Sequence, residues 1–217
     1  MHGRREFLLS LAGAAVSPAA SSDPAWLTIA QASELIRRKR LSPVELTRAC
    51  LARIEALQPR LNAFITITAG SALAAARAAE AEILRGRWRG PLHGIPIALK
   101  DLYDTAGVRT TAASAQWKDR VPAQDAVCVQ RLQAAGAILP GKTNMDEFAY
   151  SFTAESSFFG PARNPFDPSR SPGGSSGGSA VAVAAGLCPG ALGSDTRGPP
   201  PPPSPLCGLT GLDPPLR

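Results

Sequence analysis

The sequence predicts an α/β fold, a mixed sheet flanked by helices. Three observations predict it. Strand-like and helix-like patterns alternate along the chain, which argues a sheet with helical connections. The chain has 217 residues, 44% of them hydrophobic and 18% charged, enough to bury a core as one large domain or two small ones. A serine/glycine stretch at 171–179 runs straight into an apolar alanine/valine segment. That is the pattern of a tight turn feeding a buried helix N-terminus rather than of a flexible linker.

Taken in order, the first 22 residues read as an address. "GRREFLLSLAGAAVSPAASS" holds Arg4, Arg5, Phe7 and Leu8, an apolar stretch to Val16, and small residues for cleavage near Ala19 or Ala20. Together these resemble a bacterial twin-arginine export signal, so the expected division is a signal at 1–22 and one domain at 23–217. The apolar stretch is too short to span a bilayer, and no later segment reaches that length. The net charge is +6, and removing two arginines and one glutamate with the signal leaves +5. "RRKR" at 37–40 is the densest basic run; it sits where a helix should end, and cations there complement the helix dipole, so it reads as a solvated helix end rather than a nucleic-acid patch.

"LSPVELTRACLARIEAL" predicts a helix. Ser42 is the N-cap, Pro43 the first helical residue and Glu45 the closing member of a capping box, with Leu46, Cys50, Ile54 and Leu57 at helical spacing. Residues 62–68, "NAFITIT", read as a strand, 71–87 as an alanine-rich helix, and 94–101, "GIPIALKD", as a buried strand leading into Lys100. At 125–139 a helix capped by Asp125 and stopped by Gly136 precedes a short strand at 137–139. Cys50, Cys128, Cys188 and Cys207 show no CxxC pairing and the only histidines are His2 and His93, so neither a zinc site nor a disulfide framework is indicated. The cysteines read as small buried hydrophobes.

"GAILPGKT" at 136–143 satisfies the letter of a phosphate-loop pattern. Its context does not. A phosphate loop needs a strand before its first glycine and a helix at its Lys-Thr, whereas Gly136 ends a helix and strand follows it.

"GPLHGIPIALKD", "GKTNMDEFAYSFTAESSFFGPARNP", "SPGGSSGGSAVAVAAGL" and "LGSDTRG" together resemble the amidase signature family, which includes simple amidases and the A subunit of glutamyl-tRNA amidotransferase. The resemblance covers about residues 26–212, several long motifs in the right order, and implies the N-terminal part of an amidase-signature fold, truncated at its C-terminus. It also implies a Ser–cis-Ser–Lys arrangement. The lysine falls on Lys100, where desolvation would lower its pKa and let it act as a base. The bridging serine falls on Ser175, preceded by a cis peptide bond and held in a loop of Gly173, Gly174, Ser176, Gly177 and Gly178. The nucleophilic serine falls on Pro199, and the backbone around Thr196, Arg197 and Gly198 corresponds to the oxyanion-binding turn. Proline has neither hydroxyl nor backbone N–H, so both contributions are expected to be lost.

The interruption is in register: "PPPPPSP" at 199–205 replaces serine and six further residues, and the resemblance resumes at "LCGLTGL". The proline run is expected to adopt polyproline II, and Ser204, five residues on, is a poor substitute nucleophile. A proline-rich ligand for a partner domain is the other reading of this run. The expectation is therefore an exported amide-bond hydrolase by ancestry, inactive as written, acting on a small-molecule amide with no metal or cofactor, no nucleic acid and no stable membrane insertion. A cytoplasmic glutaminase like the amidotransferase A subunit is the first alternative. A non-enzymatic remnant or binding protein is the second.

Overall fold

The computed structural model describes residues 23–195 and 203–212. Expectations for residues 1–22, and for Thr196, Arg197, Gly198 and Pro199, lie outside them. Helices α1 (Ile29–Arg37) and α2 (Pro43–Leu61) come first, followed by strand β1 (Phe64–Ile67) and helix α3 (Ala69–Leu84). Strand β2 (Ile97–Lys100), helix α4 (Val127–Ala134) and strand β3 (Gly141–Thr143) form the middle. Helix α5 (Gly177–Ala184), strand β4 (Gly190–Leu192) and the short α6 (Pro203–Leu206) complete it. The sheet order is β1-β3-β2-β4, with β1 antiparallel to β3 and the other two pairs parallel. This is the expected mixed sheet flanked by helices.

Local chemistry explains most boundaries. A capping box at Thr28 and Gln31 opens α1. Its C-terminal arginines are exposed, and Arg37 and Arg38 both pair with Glu34, as a solvated helix end requires. At α2 the Ser42 hydroxyl accepts the Val44 and Glu45 N–H groups, as expected of the N-cap. The carboxylate that Ser42 itself meets is Glu80 of α3, not Glu45; the cap is used to join two helices instead of closing a local box. Asn62 is not strand. It takes the left-handed conformation that asparagine tolerates (φ 47°), ends α2, and turns its amide onto the carbonyls of Phe159 and Gly160.

Three further boundaries differ from expectation. Helix α3 starts at Ala69, before the alanine-rich run. Asp125 does not cap α4; its carboxylate accepts the Ala106 N–H at 2.7 Å and Ala126 takes the cap position with no side-chain bond. The strand expected at 137–139 shrinks to one bridge between Pro96 and Ile138, and the true strand is Gly141–Thr143. Pro140 has no N–H to offer a ladder and splits the run. Gly136 ends α4 with φ 82° and the Gly-Lys-Thr lies in strand, so the phosphate-loop geometry is absent. Where the proline run is described it is helical rather than polyproline II, because Pro203 needs no N–H in the first turn of α6.

Two apolar clusters pack on the sheet. One joins α2 and α5 through Ile54, Phe64, Ala98, Val181 and Leu187; the other joins α1 and α2 to Ile95 and Ile97. Cys50, Cys188 and Cys207 are buried, Cys128 half-buried, and all four are free. Strand alternation then divides the polar side chains at the end of the sheet. Leu99 pairs with Lys142 and Lys100 with Thr143, so the two neighbouring pairs face opposite sides of the sheet.

Candidate active site

The apolar run Ile97–Leu99 forms the buried strand β2 and delivers Lys100 at its end with no exposed surface. Burial pushes its ammonium down to about 8, and the nearby carboxylates of Asp146 and Asp195 offset only part of that. Its Nζ reaches two hydroxyls, Ser175 Oγ at 2.6 Å and Ser194 Oγ at 2.9 Å.

Ser175 stands where the glycine loop meets α5. The Gly174–Ser175 peptide bond is cis, and Gly173 takes φ 81°. The other loop glycines are required by close approach. A Cβ on Gly174 would fall 2.1 Å from Asp146 Oδ2, on Gly177 2.3 Å from the Ala154 Cβ, and on Gly178 2.4 Å from the Asn144 carbonyl oxygen. Asp146 lies beneath this loop, accepting N–H bonds from Ala154 and Ser156 while its own N–H donates to the Ser175 carbonyl. Lys100, Ser175 and the glycine loop, brought from 75 positions apart in the chain, are thus in one place.

Ser194 carries no sign in the sequence beyond its presence in "LGSDTRG". The structure holds the segment around it residue by residue. Ser179 Oγ donates to the Leu192 carbonyl at 2.9 Å and Tyr103 Oη to the Gly193 carbonyl at 2.5 Å. Ser176 Oγ takes the Ser194 N–H and donates to the Ser194 carbonyl, both at 3.1 Å. Ser176, expected only as a member of the glycine loop, is therefore a brace.

Ser175, Ser176, Ser194 and Asp195 line a cavity of about 920 Å³ that continues along apolar Ile97, Leu192 and Leu209 and past Tyr150. Its size suits a small molecule. On the opposite face of the sheet Lys142 is also buried and held down to about 8 by desolvation, but its Nζ is spent on the Tyr103 carbonyl, Thr105 Oγ1 and Thr110 Oγ1. It secures the loop that carries Tyr103. Among the described residues no cluster of His, Cys, Asp and Glu could hold a metal ion.

A family model described as Amidase matches residues 45–216. The chain is 52% identical over 187 residues to the A subunit of the glutamyl-tRNA(Gln) amidotransferase of Methylococcus capsulatus, and 50% identical over 188 residues to that of Roseiflexus castenholzii. These alignments cover 86% and 87% of this chain and 38% of each relative, so the chain spans less than two-fifths of their length. Among solved structures, one described as an amidase is 43% identical at a TM-score of 0.73, covering 78% of this chain and 39% of that one. The native peptide amidase of Stenotrophomonas maltophilia is 41% identical at a TM-score of 0.71, covering 79% and 35%.

Proposed function

The chain belongs to the amidase family, and from that premise we propose that it is an amide-bond hydrolase scaffold whose base and relay remain assembled while its nucleophile is gone. Lys100 is the base and Ser175 the relay between it and the position of Pro199. The observation that carries this reading is the 2.6 Å bond between Lys100 Nζ and Ser175 Oγ at a lysine held near 8 by burial. A buried neutral amine can take a proton from a hydroxyl, and a serine lying between it and a second serine can pass that proton on. With proline at the nucleophile position there is no hydroxyl to start acyl transfer and no N–H to bind the oxyanion, so unactivated amides are not turned over.

The substrate of the ancestral activity is a small amide. The curated relatives favour glutamine as that amide, since those quoted above are amidotransferase A subunits. The twin-arginine pattern at residues 1–22 favours an exported amidase instead.

Ammonia release from a panel of small amides including glutamine tests the reading. The chain as it stands should release none. A form carrying Arg197→Gly, Pro199→Ser, Pro200→Ile and Pro201→Arg, extended with the remaining length of a curated relative, should release ammonia and lose it again on Lys100→Ala. Release by the unaltered chain would overturn the inactivity, and activity of the extended form that survives Lys100→Ala would overturn the role of the lysine.

A further inference from the structure

We propose that Ser194 is an alternative nucleophile, a hydroxyl able to accept an acyl group from activated esters in the site whose original nucleophile position is Pro199. The proposal rests on the reading of Lys100 as a base, and extends it to a residue that the motifs do not assign.

The geometry carries it in three steps. First, Ser194 Oγ is 2.9 Å from Lys100 Nζ, within the reach a nucleophile and its base require. Lys100 has no exposed surface and does not line the cavity, so Ser194 and Ser175 are the hydroxyls through which its basicity reaches that space. Second, Ser194 is held in place. The Leu192 carbonyl, the Gly193 carbonyl and both backbone groups of Ser194 are bonded by Ser179, Tyr103 and Ser176, so the backbone that carries the hydroxyl is fixed, and the hydroxyl itself is bonded to Lys100. Third, one Nζ serves both hydroxyls. A neutral Lys100 can accept the Ser194 proton while donating to Ser175 at 2.6 Å, so the lysine stands between the two hydroxyls, with Ser194 in the attacking position, instead of at the far end of a Ser175 bridge.

The step balances. Ser194 Oγ attacks the ester carbonyl carbon, a new C–O bond forms, and the hydroxyl proton passes to Lys100 Nζ. The tetrahedral adduct collapses, the bond to the leaving oxygen breaks, and the proton leaves Lys100, through Ser175, to that alkoxide or phenoxide. The products are the acyl ester of Ser194 and the free alcohol. Activated esters are the class selected, because a good leaving group lessens the need for the oxyanion contacts that Pro199 cannot supply.

The test uses the full chain and p-nitrophenyl acetate, with nitrophenolate release followed against pH and the acetyl group located by peptide mass mapping. The charged groups facing Lys100 are Asp146 and Asp195, so the profile should follow the lysine, rising with pH to half its plateau near about 8. One equivalent of acetyl on Ser194, lost at least tenfold in rate in Ser194→Ala and in Lys100→Met, is the expected result. Ser194→Thr keeps a hydroxyl and should retain labelling, which separates loss of the nucleophile from loss of fold. NMR of Nζ-labelled lysine runs alongside. Acetyl on Ser175, or on surface lysines only, with Lys100 titrating near about 8, overturns the role of Ser194 and leaves the Lys100–Ser175 reading standing. Lys100 titrating at its ordinary 10.5 overturns both.

Discussion

Lys100 and Lys142 are both buried in this fold and the chain treats them differently. Lys142 has its three donors satisfied by a carbonyl and two threonine hydroxyls, and it braces a loop. Lys100 bonds two serine hydroxyls and the more distant Ser194 carbonyl, a partner set that can exchange protons. Burial lowers Lys100 from 10.5 to about 8, and the direction has a consequence for stability. Below about pH 8 the lysine is charged in both folded and unfolded chains and the full cost of burying the ammonium is present. Between about 8 and 10.5 the unfolded chain binds more protons, so stability rises with pH, and above 10.5 the cost is gone. The stability advantage of Lys100→Met over the parent should therefore be larger at neutral pH and fall by about 3 kcal/mol toward pH ~11, at roughly 1.4 kcal/mol per unit of pKa change. Urea denaturation of the two proteins across that range measures it. A difference independent of pH would show that Lys100 titrates alike in both states. The position of Lys100 at the end of an apolar run is legible in the sequence, whereas its second hydroxyl partner is not, because Ser194 comes from a segment 94 positions away.

The glycine loop and helix α5 show what an element adds. A run of four glycines and two serines at 173–178 announces a tight turn, but a linker would read the same way letter by letter. The packing assigns each glycine its reason. Gly173 has a positive φ, and Gly178 packs against the β3 exit so closely that a Cβ would lie 2.4 Å from the Asn144 carbonyl oxygen and 2.6 Å from that of Ala63. Both are backbone atoms that cannot swing aside. Gly178→Ala should destabilise the chain by about 3 kcal/mol, the upper range for overpacking. Gly70, in the first turn of α3, has open space within 4 Å of where a methyl would stand, so Gly70→Ala should stabilise by about 0.5 kcal/mol through helix propensity. Chemical denaturation of both variants checks the pair; equal effects would mean that the close approach at Gly178 is relieved by movement. Capping contacts that differ from expectation have the same origin. Asp125 and Glu45 are good capping residues, but Asp125 binds Ala106 and Ser42 meets Glu80, contacts across the fold that no local pattern contains.

At the scale of the molecule, β4 lies at one edge of the sheet and the large cavity runs beside it, while the curated relatives are more than twice as long as this chain. No helix of the described residues is long and apolar enough to cross a membrane. Destination is tested with the first 25 residues alone: fused to a reporter they should direct it to the periplasm, and Arg4→Lys with Arg5→Lys should stop this. Export that ignores the double change would refute the twin-arginine reading. By itself the sequence determined the class of fold, the long motifs and the lysine at the end of its strand, because these rest on local periodicity and on residue chemistry read in order; the assignment of the nucleophile position to Pro199 rests on the family resemblance and belongs to the proposed function. Only the tertiary structure decided that Lys100 and Lys142 face opposite sides of one sheet, that Ser176 braces while Ser175 bonds the lysine, and that Ser194 shares that lysine. Those relations depend on strand register and on contacts between distant segments, and neither exists until the sheet is formed.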